Sequence, residues 1–178
     1  MRTLNEQLSA YAGYHRDRRN IATHFVGIPM IVVGILAFLA RPAVMVSGFA
    51  LSPALLLLVG GLVFYFLLDL RYGLSMLAVM TPAYLLGAWF AAQTTALWLE
   101  GASFFFVVGW AIQFVGHIFE GKKPAFVDDL VGLLVGPLFV VAELGFMLGL
   151  RGEVLEAIEA KVGPTRSGRP AAATVNAS

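Results

Sequence analysis

Apolar residues fill the stretch from Ile21 to Ala40, with Thr23 and His24 the only polar side chains in it. That is about the 20 residues a helix needs to cross roughly 30 Å of hydrocarbon, and Arg41-Pro42 stops it. A second apolar run, Ser52 to Leu68, carries Pro53 in its tolerated first turn and closes at Asp69-Leu70-Arg71. Tyr65 and Tyr72 bracket that end, as interfacial aromatics do. A third span is expected from Tyr72 to Leu99, with Pro82 inside it and Trp89, Trp98 and Glu100 near its close. Lipid-buried helices tolerate such a proline because the freed carbonyls are re-satisfied locally. The fourth runs from Ala102 to Phe119, and its end (Gln113, Gly116, His117, Glu120) is polar on one face before Lys122-Lys123-Pro124.

Outside these runs the periodicity changes. In residues 1 to 19, Leu4, Leu8, Tyr11 and Tyr14 recur at spacings of four and three, which suits a short amphipathic helix lying on the membrane. Residues 130 to 150 are apolar but broken by Gly136-Pro137 and interrupted by Glu143, which favours a re-entrant or interfacial segment over a fifth span. Val154, Leu155, Ile158 and Val162 make one helical stripe, and 163 to 178 have the composition of a disordered tail. The expected fold is an all-α membrane bundle: about four transmembrane helices with amphipathic or interfacial helices at both ends. Residues 1 to 162 form its one domain.

Composition agrees. With 178 residues, 59% hydrophobic and 13% charged, the chain has more apolar side chain than a soluble domain of this size could hide. A formal net charge of +1 gives no reason to expect nucleic acid as a partner, and the lack of cysteine leaves nitrogen and oxygen as the only metal donors. The polar, arginine-rich first 20 residues do not read as a cleaved signal peptide, so the run from Phe25 is taken as a retained span.

Four spans return the chain to its starting side. The N-terminus, the Asp69–Arg71 turn and the segment after Phe119 then share one face, and the connections at Arg41 and Glu100 share the other. The first face collects Arg2, Arg16, Arg18, Arg19, Arg71, Lys122 and Lys123, against Arg41 alone on the second, the tail aside. The positive-inside rule makes the first face cytoplasmic. His15, His24 and His117, all the histidines of the chain, fall at one depth on that face. His15 and His24 lie nine residues apart, which on one straight helix would turn them about 180° apart at ~100° per residue. They converge only if the chain bends between them, and the bend is expected near Asn20. His117 and Glu120, at i and i+3, point the same way.

A single histidine at a membrane end is usually an interfacial polar group. Three in one layer, in spans with hardly any other polar residue, point to a site, because an ionisable group buried unpaired costs on the order of several kcal/mol. The residues leave open whether that site holds a metal or relays protons. Other charged positions read more plainly. Asp17 among Arg16, Arg18 and Arg19 is expected as a solvated ion-pair partner, and the basic cluster itself as a contact to lipid headgroups. Asp128-Asp129 suit the start of a following helix, and Glu143 is either a supporting acid of the site or a residue facing the bundle interior.

The histidines sit in two blocks with a recognisable order. Tyr14-His15, Asn20 and His24 with Gly27 and Pro29 form one; Gln113-Phe114-Val115-Gly116-His117-Ile118-Phe119-Glu120-Gly121 with Pro124-Ala125 form the other. Together they resemble the signature segments of the fungal and bacterial 2-hydroxy fatty acid dioxygenase family, and the likeness continues through Gly136-Pro137-Leu138-Phe139 and Glu143. Members of that family act in fatty acid α-oxidation, including the shortening of the 2-hydroxy acid that arises from phytosphingosine. The resemblance implies an Fe2+ enzyme whose metal-binding residues are His15, His24 and His117, with Glu120 as the catalytic acidic residue, either a ligand or a group that orients one. It implies a long-chain 2-hydroxy fatty acid and O2 as substrates. Arg18, Arg19 and Lys122 would steer the carboxylate, and Asn20 and Gln113 would complete the substrate contacts. Three histidines on an octahedral iron leave positions for the carboxylate and α-hydroxyl of the acid and for dioxygen; cleavage between C1 and C2 then leaves an acid one carbon shorter.

The implied location is integral to a membrane, the inner membrane in a bacterium or the endoplasmic reticulum in a eukaryote. The site would lie on the cytoplasmic face with the acyl tail among the helices, and membrane lipid, or further copies in an oligomer, would surround it. The rival reading is a small transporter or proton-relay protein with histidines and Glu143 along its path; a scaffold or a metal-dependent hydrolase are weaker alternatives.

Overall fold

The computed structural model describes residues 2–124 and 131–167. Among them are seven helices and one hairpin: α1 (Leu4–Ala12), α2 (Arg18–Ala40), β1 (Val44–Val46), β2 (Phe49–Leu51), α3 (Pro53–Leu68), α4 (Leu70–Ala91), α5 (Thr95–Glu120), α6 (Gly132–Met147) and α7 (Gly152–Val162). The all-α membrane bundle expected from the hydropathy pattern is what the chain forms. Individually, α2, α4 and α5 are long and apolar enough to cross a membrane; α3 is a shorter apolar helix, and α6 and α7 make a pair bent by 113°. Side chains such as Leu56, Leu67, Leu85 and Val107 are at least 60% exposed, which is the packing of a bundle whose solvent is lipid.

Helix α2 is the hub, with α3, α4, α5 and α6 all packed on it. Its approach to α5 is close because glycines line the contact. A Cβ on Gly34 would come 2.7 Å from the Phe106 amide nitrogen, and one on Gly109 would come 2.9 Å from the Gly27 carbonyl. Any larger residue would push the helices apart. Polar contacts then pin the two ends. At one, Arg41 donates to the Gln93 carbonyl (3.1 Å) and the Trp98 indole to the Ala37 carbonyl (2.9 Å). At the other, Arg151 grips Asp69 through both guanidinium nitrogens, each at 3.0 Å, and lies over the Tyr72 ring.

Several boundaries differ from the sequence expectation. The third span ends at Ala91, because the Thr94 hydroxyl accepts the Leu97 amide and caps a new helix; Trp98 and Glu100 therefore belong to α5. Between α2 and α3 the chain forms a hairpin whose turn residues, Ser47 and Gly48, take φ of 49° and 85°, the left-handed pair that matches strand twist. The apolar face of helix α1 packs inside the protein: Leu8 and Ala12 are fully buried, and the helix packs on α6 and α7. Gly136-Pro137 stays inside α6, and the break falls instead at Gly149–Arg151, where Gly149 and Arg151 have positive φ. Residues 163–167, expected as disordered tail, run back along the N-terminal segment, where Arg166 pairs with Asp17 in a parallel bridge. The expectations for Asp128-Asp129 and for 168–178 lie outside the described residues.

Candidate metal centre

The histidines meet because of a bend between α1 and α2. The amides of Tyr14 and His15 reach back to the carbonyls of Tyr11 and Ala12 (3.0 and 2.9 Å), so His15 sits on a tight turn at the end of α1. Asp17 is then extended (φ −79°, ψ 125°), and its carboxylate accepts the Arg19 amide to start α2. The bend thus lies at residues 13–17 and not at Asn20, which is already in the first turn of α2. His24 follows one turn later, and His117 comes from the last turn of α5. Gly116 allows that approach: a Cβ there would collide with Thr23 Oγ1 and lie 2.6 Å from Asn20 Oδ1.

The three rings face one another edge to face. Centroids lie 4.5 Å apart for His15 and His24, 5.1 Å for His15 and His117, and 5.2 Å for His24 and His117. One donor atom of each falls within 4.8 Å of the others, and all three residues are buried. Backbone carbonyls fix the orientation. The Nδ1–H of His15 donates to Tyr11 O (2.7 Å) and that of His24 to Asn20 O (2.8 Å). Because a carbonyl only accepts, each Nε2 is left with its lone pair. The Tyr11 ring stacks on His15 at 4.2 Å and 8°, and the Lys122 backbone bonds the His117 ring. His15 Nε2 and His117 Nδ1 have no partner, although both are buried. Burial, and after it the neighbouring His24, holds the His15 imidazole well below its ordinary pKa, in the neutral form that binds a metal. Orphaned buried nitrogens that share one small space are an arrangement able to hold a metal ion.

Glu120 lies behind the histidines and is fully buried on its side chain. Its Oε2 accepts the amides of Arg16 (3.0 Å) and Asp17 (2.7 Å) and the Asn20 amide group (3.2 Å), and its Oε1 accepts Arg166 Nη2 at 2.6 Å. The carboxylate is therefore occupied in holding the turn that carries His15. Glu143 reaches the same turn through Arg16 (3.4 Å). Arg16 is itself buried, so only Arg18 and Arg19 of the basic cluster face outward. Asp17 is likewise buried rather than solvated, with both carboxylate oxygens on Arg19 (3.1 and 2.8 Å).

Asp17→Ala removes a helix cap and should cost about 1 kcal/mol, read as a fall of roughly 2–4 °C in thermal midpoint at pH 7. The Arg19 guanidinium holds the Asp17 carboxyl below the ordinary carboxylate value of 3.8. The stabilisation is therefore complete at neutral pH and is lost as pH falls through and below that range. Unfolding curves of the two proteins should converge there.

An apolar groove of about 530 Å³ opens beside His24 and His117 and is walled by α2, α5 and α6. Of the substrate contacts expected from the sequence, Gln113 lines it. The others lie elsewhere: Arg18 on a separate groove beside Phe25 and Glu143, Arg19 over the Phe119 ring, Lys122 on the Gly13 carbonyl (2.7 Å), and Asn20 between Glu120 and His24. Two members of the site went unread. Tyr11 carried the signal of a spacing of four before His15, repeated by Asn20 before His24; Arg166 carried none.

Comparison with known proteins gives the family. Residues 1–148 match the Mpo1-like family, described as 2-hydroxy-palmitic acid dioxygenase Mpo1-like. The 2-hydroxy-palmitic acid dioxygenase MPO1 of Saccharomyces cerevisiae is 31% identical over 158 residues, covering 88% of this chain and 87% of the yeast protein. No solved structure matches the chain. The matched region takes in all three histidines, the groove and Glu120, and on that extent the chain belongs to the Mpo1-like 2-hydroxy-palmitic acid dioxygenase family.

Proposed function

We propose that this protein is an Fe2+-dependent dioxygenase that shortens long-chain 2-hydroxy fatty acids by one carbon, breaking the C1–C2 bond. The observation that carries the reading is the closed set of three buried histidines, with unpartnered nitrogens on His15 and His117, at the head of an apolar groove. Membership of a family described by 2-hydroxy-palmitic acid oxidation supports it. His15, His24 and His117 would hold the metal, which when bound supplies redox access to dioxygen and Lewis acidity for the hydroxy acid. The simplest balance, RCH(OH)COOH + O2 → RCOOH + CO2 + H2O, needs no outside reductant.

The protein's own part is positional. The Tyr11 and Asn20 carbonyls lock two imidazoles in one tautomer, Tyr11 covers His15, and burial keeps bulk water from the donors. Arg18, Arg19 and Lys122 lie outside the groove, and as cations at the histidine end of the bundle they would add a positive field for an incoming carboxylate. Arg2, Arg18, Arg19, Arg71, Lys122 and Lys123 crowd the histidine end while Arg41 stands at the other, which orients that end toward the cytoplasm. A proton path would need ionisable groups along the bundle, and among the described residues the buried ones gather at this one end.

The test is metal analysis of the purified protein after anaerobic Fe2+ reconstitution, coupled to oxygen uptake with a long-chain 2-hydroxy acid. The expected result is about one iron per chain, as three ligands make one site, with one O2 consumed per acid shortened. No iron and no uptake would reject the assignment; proton flux in vesicles would then favour the relay.

A further inference from the structure

The groove extends far beyond the histidines. Its wall on α2 runs from His24 through Ile28, Ile31 and Val32 to Ile35, one face of the helix. Eleven residues rise about 16 Å at ~1.5 Å each. A zigzag chain advances roughly 1.2 Å per bond, from the ~3.6 Å spanned by three backbone bonds, so this length takes about 13 carbons. Helices α5 and α6 both pack on α2 but hardly touch each other among the described residues. That weak contact would leave a membrane-dissolved chain a lateral way in between the two helices.

Gln113 gives the groove a polar mark. It is 3% exposed, and its Nε2 has no hydrogen-bond partner. A Cβ on Gly27 would lie 3.0 Å from that nitrogen. The amide thus lies one turn from His24 along α2 and one turn from His117 along α5, where the head of a bound acid gives way to its tail. A buried donor without a partner costs free energy that a ligand oxygen would restore.

Resting on the dioxygenase reading above, we propose that this groove seats the acyl chain of the substrate, that Ile35 at its deep end limits the length accepted, and that Gln113 donates to the 2-hydroxyl oxygen. The ligand class is an unbranched acid of about 14 to 16 carbons, the 13 of the groove plus the head at the histidines.

Three variants and two readouts test it. Ile35→Trp should move the maximum of oxygen uptake against chain length toward shorter acids by two carbons or more. Gln113→Leu should lower the preference for a 2-hydroxy acid over the unhydroxylated acid in binding by about tenfold, the size of one neutral hydrogen bond. Binding is read on metal-free protein by quenching of tryptophan fluorescence with an acid brominated near the middle of its chain, because Trp98 stands beside Ala37 at the deep end while Gly109, next to Trp110, packs on Ile31. Quenching should be strong in the wild type and weak in Trp110→Phe, since Trp110 lines the groove. An unmoved length profile in Ile35→Trp, or equal quenching in Trp110→Phe, would overturn the proposal. Quenching through Trp110 without any oxygen uptake would keep the groove as a fatty acid site and reject the dioxygenase. Normal uptake with quenching independent of Trp110 would do the reverse.

Discussion

His117→Ala is expected to lower oxygen uptake with a 2-hydroxy acid by ~100-fold or more, since removing even a supporting partner of a metal ligand costs 10–100-fold. The informative readout is stability. In the metal-free protein, His15 Nε2 and His117 Nδ1 are buried without partners, so the site is an unfavourable arrangement that a metal would relieve. A metal that binds only the folded chain stabilises it by RT ln(1 + [L]/Kd), about 4 kcal/mol at a thousandfold excess over Kd. At roughly 2–4 °C per kcal/mol for a chain of this size, Fe2+ should raise the thermal midpoint of the wild type by about 8–16 °C. The variant, left with two histidines, should gain little. It should also unfold near the temperature of metal-free wild type, because His117 sits at the end of α5 and its loss removes one of the orphaned nitrogens together with some packing. A variant that melts far below apo wild type would mean that His117 is a packing residue.

The parts of this architecture that could be read from sequence are those that lipid or helix geometry dictates. Long apolar runs cannot fold otherwise in a bilayer, so α2, α3 and the body of α5 lie close to where hydropathy puts them. The parity of the spans brings His15, His24 and His117 to one end, and the structure places all three rings together. What failed were decisions made by single local contacts. The Thr94 cap divides an apolar stretch that hydropathy joins, and the extended backbone at Asp17 moves the bend several residues before Asn20. Helix α1 has the stripe of an interfacial helix, and composition alone does not tell burial against α6 and α7 from burial in lipid. Arg166 was beyond reach for a different reason. It lies in a segment rich in small, proline and polar residues, which has the composition of a disordered tail, and its partner is 46 residues away.

That pairing carries the second large prediction. Glu120→Ala should lower the thermal midpoint of the metal-free protein by roughly 6–20 °C, from about 3–5 kcal/mol for breaking a buried ion pair at ~2–4 °C per kcal/mol. Alanine strands the amides of Arg16 and Asp17 and removes the partner of Arg166, all of which converge on this carboxylate. Glu120→Gln should cost less, because its amide oxygen still accepts from the backbone. Arg166→Ala should cost less again, since that side chain is 29% exposed. The functional effect passes through His15, the residue before Arg16. With the turn loosened but all three imidazoles present, metal affinity should fall 10–100-fold, and excess Fe2+ should restore uptake in Glu120→Ala and Arg166→Ala while leaving His117→Ala inactive. Rescue by metal separates a residue that positions the donors from one that is a donor. If Glu120→Ala stays inactive at saturating Fe2+ while still folded, the carboxylate must leave its four donors and reach the metal or the substrate during turnover.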